Sequence, residues 1–133
     1  MSEKYTVITG ASSGIGREIA KVFAKKEKNL ILVARRTERL EELKKEILCE
    51  NSMLDVKVFP CDLSDIEAVY RLYDQLKSYN LETWINDAGV GYNGNIVDQD
   101  LKKISNMIHL NIEALTILST LFVNDYKDTI INE

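Results

Sequence analysis

The stretch Thr9-Gly10-Ala11-Ser12-Ser13-Gly14-Ile15-Gly16 decides how the rest of the chain is read. It follows Tyr5-Thr6-Val7-Ile8, a short β-rich run. It opens a segment in which Ile15, Ile19, Val22 and Phe23 recur at helical spacing. Gly10 permits the tight exit from the strand. Gly14 and Gly16 remove Cβ atoms where a pyrophosphate approaches the backbone and where the helix packs on the strand. The helix beginning near Ile15 offers free N–H groups and a partial positive charge to a phosphate. Three glycines alone are a weak signal; the strand before them and the helix after them supply the context that raises it.

Outward from that turn, the apolar period keeps switching. Leu30-Ile31-Leu32-Val33 is apolar on both faces, as in a buried parallel strand. Leu40, Leu43, Ile47 and Leu48 mark an amphipathic helix. Val56-Lys57-Val58-Phe59 is a third strand, and Ser64-Asp65-Ile66-Glu67 has the S-x-x-E form of a capping box ahead of a helix through Val69, Leu72 and Leu76. Thr83-Trp84-Ile85 is a fourth strand. A long helix from about Gln99 to about Asn124 carries Leu101, Ile104, Ile108, Ile112, Leu115 and Leu118, and Thr129-Ile130-Ile131 begins a fifth strand. Strands alternating with helices imply parallel pairing and right-handed crossovers, hence an α/β fold with a doubly wound parallel sheet. Ligands of such sheets sit outside the carboxyl ends of the strands, where the strand order reverses.

Composition narrows the class. The chain has 133 residues, one domain's worth, with 17 Lys and Arg against 21 Asp and Glu and a net charge of −4. That balance argues against a nucleic-acid partner, which usually meets a basic face. No unbroken apolar run approaches the roughly 20 residues of a membrane span. Met1-Ser2-Glu3-Lys4 contains no signal-peptide core, and the two cysteines, Cys49 and Cys61, form no CxxC metal pattern. Reduced thiols in a cytoplasmic protein is the expectation, with no membrane partner.

The spacing T-G-x-x-x-G-x-G, over Thr9–Gly16, resembles the cofactor motif of the short-chain dehydrogenase/reductase family, in its classical branch. Cys61-Asp62-Leu63 resembles that family's D-[LV] after the third strand, and Asn86-Asp87-Ala88-Gly89 its N-N-A-G after the fourth. Asn111 falls where the family has its active-site asparagine. Four landmarks in order make residues 1–133 resemble the family's dinucleotide-binding, Rossmann-like domain, incomplete at about the fifth strand. The resemblance implies cofactor contacts at Gly10, Ser12, Ser13, Gly14, Ile15, Gly16, Asp62, Leu63, Asn86, Ala88 and Gly89. It also implies that the Asn111 carbonyl holds a water in a proton relay while its side chain bends the helix. Asp62 has two readings, adenine contact or helix capping alongside Ser64. Asp87 departs from the family's second asparagine, since a carboxylate accepts but cannot donate. Either the lost donor matters little or local hydrogen bonding is rearranged.

Charge selects between cofactors. An NAD site places an acid about 20 residues past the glycines to hold the ribose 2′-hydroxyl. Here the end of the second strand reads Ala34-Arg35-Arg36. A carboxylate would repel a 2′-phosphate, whereas an arginine fork pairs with it. NADP(H) is therefore expected over NAD(H), through Arg35 with Arg36 and Ser12 in support; the competing reading makes both arginines solvated surface charges.

The family's serine and its Tyr-x-x-x-Lys belong after the fifth strand, and the tail Thr129-Ile130-Ile131-Asn132-Glu133 stops short of them. The one match to that pattern, Tyr73-Asp74-Gln75-Leu76-Lys77, lies on a helix along the sheet's face, away from the strands' carboxyl ends. His109 has no partner at ligand or triad spacing. The expectation is the cofactor part of an NADP(H)-dependent carbonyl reductase or alcohol dehydrogenase acting on a small-molecule carbonyl or alcohol substrate, inactive by itself. The alternative is a non-catalytic dinucleotide-binding or interaction module complete at this length. The stripe through Ile104, Ile108, Leu115 and Leu118 predicts a homo-oligomer, a dimer or swapped arrangement that covers it.

Overall fold

A computed structural model describes residues 3–89 and 95–132; Met1, Ser2 and Glu133, named above, lie outside them. Strand β1 (Lys4–Thr9) leads into helix α1 (Gly14–Lys25), and β2 (Asn29–Ala34) into α2 (Thr37–Glu50). Then come β3 (Val56–Pro60), α3 (Ile66–Leu76) and β4 (Asn80–Asn86). A 3₁₀ turn (Ile96–Asp98) precedes α4 (Leu101–Ile108), a π-helical segment (His109–Ala114) and α5 (Leu115–Asn132). The four strands pair in parallel in the order β3-β2-β1-β4. The order therefore reverses between β1 and β4, as the reading of a doubly wound, Rossmann-like parallel sheet requires.

Side-chain alternation along the central strands feeds two cores, one on each face of the sheet. Val7, Ile31 and Val33 join Val69, Leu72 and Leu76 of α3 with Ala114 and Leu118. Ile8, Leu30 and Leu32 join Ala20 and Ala24 of α1 and Leu40, Leu43 and Ile47 of α2. Small residues on α1 let its backbone lie close to the sheet, which is how the helix start comes to sit beside the end of β1. Helix α1 ends in a Schellman arrangement: Lys28 N–H donates to the Phe23 carbonyl and Glu27 N–H to that of Ala24. Glu27 takes the left-handed conformation this needs, at φ 62°.

Three local expectations are corrected. No fifth strand forms among the described residues, because residues 129–131 continue α5 to Asn132. No glycine or proline interrupts Leu115–Asn132, and extending a helix adds one hydrogen bond per residue without the cost of a new nucleus. Helix α3 is capped by Asp65, whose side chain accepts from Glu67 N–H, and not by Ser64. The apolar stripe of the long helix is not one face. Leu118 is buried, whereas Ile108, Ile112 and Leu115 are exposed. Ile112 lies within the π-helical turn, which widens the helix and offsets Ile108 from Leu115 and Leu118 downstream. By length and average apolarity the run Leu101–Lys127 would suffice to cross a bilayer, although polar residues interrupt it. Here it packs against α3 and β4.

Candidate active site at the carboxyl ends of the strands

Strand register brings four loops together. Thr9 pairs with Val33 on one side and Asn86 on the other, and Ala34 pairs with Pro60. The four carboxyl ends are therefore level, and their loops surround one cavity of about 700 Å³. Gly10, Ser12, Ser13, Gly14 and Ile15 line it from the first loop, and Arg35 and Arg36 from the second. Cys61, Asp62 and Leu63 line it from the third, and Asp87, Ala88 and Gly89 from the fourth. Eleven of the thirteen residues expected to contact cofactor thus border a single space.

The two that do not border it are placed by other needs. A Cβ at Gly16 would stand 2.2 Å from the Gly10 carbonyl oxygen and 2.7 Å from Asp87 Oδ2. Gly16 lets α1 close on the ends of β1 and β4. Asn86 turns the other way: its Nδ2 donates to Ser119 Oγ at 2.9 Å and its Oδ1 accepts from Trp84 Nε1 at 3.0 Å. It ties β4 to α5.

The remaining glycines differ in kind. Gly10, at φ 72°, has the Ala88 nitrogen 2.7 Å from where a Cβ would be, so the first and fourth loops touch backbone to backbone. Thr9 Oγ1 reinforces that contact by accepting from Ala88 N–H at 3.3 Å. Gly14, at φ 59°, faces open space, with nothing within 4 Å of a Cβ. A cradle that is tight behind and open in front fits a phosphate-bearing ligand at the start of α1.

Arg35 and Arg36 are exposed at the cavity rim, and a third arginine joins them. Arg39 lines the same cavity from the first turn of α2. It lies three residues after Arg36, one helical turn on, a spacing that could have identified it. No carboxylate pairs with any of the three among the described residues. Asp62 Oδ1 accepts from both Ser64 N–H (3.0 Å) and Ser64 Oγ (2.6 Å), so its capping role is a local turn before α3. Burial, reinforced by Asp62 and Asp65, pushes the Cys61 thiol up to about 11, so at neutral pH it is a thiol and not a nucleophile.

Asn111 lies inside the π-helical segment. Its Oδ1 would be 3.1 Å from a Cβ on Gly89, so it abuts the fourth loop. Leu110, beside it, reaches the cavity lining. His109 is not without a partner: its Nδ1 is 2.6 Å from Glu113 Oε2, across the same turn. The i,i+4 spacing was readable in the sequence. Tyr73 is held elsewhere. Its hydroxyl donates to the Leu121 carbonyl and to Asp125. Burial and that carboxylate raise its pKa, the opposite of what a proton-transferring tyrosine needs.

Comparison with known proteins agrees with this geometry. The family model for short chain dehydrogenase matches residues 4–131. A 7beta-hydroxysteroid dehydrogenase of Clostridium sardiniense is 33% identical over 129 residues, 95% of this chain and 49% of that protein. A fatty acyl-CoA reductase of Acinetobacter baylyi is 43% identical over 88 residues, 65% of this chain and 29% of that protein. Among solved structures, a short-chain dehydrogenase from Sphingobium yanoikuyae in complex with NADPH superposes with a TM-score of 0.88 at 31% identity. That superposition covers 95% of this chain and 49% of the other. The chain spans half or less of the length of these relatives. On the match across residues 4–131 and the fold built around the glycine turn, the chain belongs to the short chain dehydrogenase family of oxidoreductases.

Proposed function

We propose that this chain holds NADP(H), in preference to NAD(H), as the cofactor part of a carbonyl-reducing or alcohol-oxidising enzyme. One observation carries the cofactor preference: Arg35, Arg36 and Arg39 border the cavity at the end of β2, where an NAD site would place a carboxylate. Three guanidinium groups without an acidic partner among the described residues suit a dianionic 2′-phosphate better than a ribose hydroxyl. That the Sphingobium relative is an NADPH complex supports the same choice.

In this reading the backbone of Gly10–Ile15 and the N-terminus of α1 bind the pyrophosphate. Asp62 and Leu63 border the adenine side, and Ala88 and Gly89 keep the fourth loop thin beside the ribose. Nicotinamide, when bound, supplies or accepts the hydride. Asn111 supports the fourth loop through Gly89 and, as the family resemblance implies, offers its carbonyl to a proton relay. No tyrosine or lysine lines the cavity among the described residues, so proton exchange with the substrate is assigned to groups outside this cofactor part.

Calorimetry with NADPH and NADH on the wild-type chain tests this. NADPH binds more tightly, and Arg35→Ala removes most of the difference, about tenfold for one charge-assisted hydrogen-bonded pair. Equal affinity for the two nucleotides, or a ratio unmoved by Arg35→Ala, refutes the preference. Reduction of carbonyl compounds by the chain alone would refute the placement of the proton-transfer groups outside it.

A further inference from the structure

Two carboxylates, Asp62 and Asp87, line the cavity and work against an anionic ligand, and Asp87 is the one beside the start of α1. It lines the same space as the glycine turn, and its Oδ2 lies over the first turn of α1, 2.7 Å from the position of a Gly16 Cβ. That turn lacks other negative charge. Ser13, the N-cap, makes no side-chain capping bond, and no acidic residue occupies the first turn. No hydrogen bond or ion pair engages Asp87 among the described residues. The carboxylate therefore lies beside the positive end of α1, with the Gly10 carbonyl close by.

We infer that Asp87 is an internal counter-charge to α1 that competes with the ligand's phosphates for the helix N-terminus, so that it stabilises the empty protein and weakens nucleotide binding. The inference rests on the nucleotide-binding reading above and adds a residue that tunes it. An anion entering the cradle meets both the helix terminus, which attracts it, and Asp87, which repels it. Asparagine has nearly the same shape as aspartate and removes only the charge.

The test is Asp87→Asn, with Asp87→Ser as a second variant should the first fail to fold. Affinity for NADPH and for NADH is measured by calorimetry at low and high salt, and Tm without nucleotide. NADPH and NADH both tighten by roughly three- to tenfold at low salt, as loss of one nearby like charge predicts. The gain shrinks at high salt through screening. Over the same substitution the nucleotide-free Tm falls by about 1–4 °C, from the lost helix-terminus charge. A purely structural role would lower Tm and leave affinity unchanged or weaker, and that result overturns the inference while leaving the proposed function intact. Absence of nucleotide binding by both wild type and Asp87→Asn overturns the proposed function, and this inference with it.

Discussion

Gly14 and Gly16 stand two residues apart in one motif, yet substitution by alanine breaks them in different ways. A methyl group at Gly16 would meet the Gly10 carbonyl oxygen at 2.2 Å, the Gly10 carbonyl carbon at 2.8 Å and Asp87 Oδ2 at 2.7 Å. The first contact is about 1 Å or more inside van der Waals separation. Two of the three atoms are backbone at the end of a central strand, which cannot rotate away as a side chain can. The start of α1 must then lift off the sheet, loosening Ala20 and Ala24 beneath it. Overpacking costs about 1–3 kcal/mol where side chains can adjust, so Gly16→Ala belongs at or above the upper end, about 3 kcal/mol. At about 3–5 °C per kcal/mol for a domain of this size, Tm falls by roughly 10 °C or more.

Gly14→Ala meets no atom, and its cost is the left-handed backbone alone, about 1 kcal/mol. Urea denaturation followed by the fluorescence of Trp84, the only tryptophan, gives both values, because Trp84 packs between Tyr73 and Phe122 in the core. Calorimetry supplies the second axis. Gly14→Ala folds but binds nucleotide poorly, since Gly14 borders the cavity; Gly16→Ala loses stability first. Equal destabilisation by the two substitutions, or full nucleotide affinity in Gly14→Ala, would refute this division of labour between Gly14 and Gly16.

Other outcomes follow from single residues. Glu27→Gly relieves a left-handed position without disturbing the two backbone bonds that end α1; it raises Tm by a few degrees, roughly 0.5–1 kcal/mol, and a fall in Tm would count against the assignment. Under iodoacetamide near pH 8, exposed Cys49 is alkylated first, while Cys61, with its thiol pushed up to about 11, reacts slowly until the chain unfolds; peptide mass mapping at timed quenches checks the order. The hydrogen bond from the Tyr5 hydroxyl, with Lys57 nearby, lowers the Asp55 pKa in the folded state. A depressed folded-state pKa contributes stability above the unfolded value and loses it as pH falls through the folded one. Asp55→Asn therefore flattens the acid limb of the stability curve below about pH 4, read from urea midpoints; an unchanged acid limb would show that Asp55 does not shape it.

The strand–turn–helix frame around the candidate site is legible in the sequence because its logic is local. A β-rich run, a glycine-rich turn and a helical period over Tyr5–Phe23 specify a strand, a tight turn and a helix from chemistry within 20 or so residues of one another. Arg35 and Arg36 follow directly from the end of the second strand. Arg39 and the His109–Glu113 pair were within reach by helical spacing, once the helix register was known. Residues 129–131 were ambiguous by nature: β-branched residues favour a strand only where another strand is present to pair with them, and α5 reaches them first.

What the amino-acid order determined by itself was the alternation of strand and helix, the parallel sheet that alternation implies, and the position of each loop at a strand's carboxyl end. All of these depend on propensity, period and turn chemistry between near neighbours. Only the tertiary structure decided that Gly16 serves packing while Gly14 serves an open cradle, that Asn86 faces α5, and that Asp87 lies over the first turn of α1. Each of those depends on atoms from β1, β4 and the helices meeting across long stretches of chain, and the side of each strand end that faces the cavity is set by the register of the sheet.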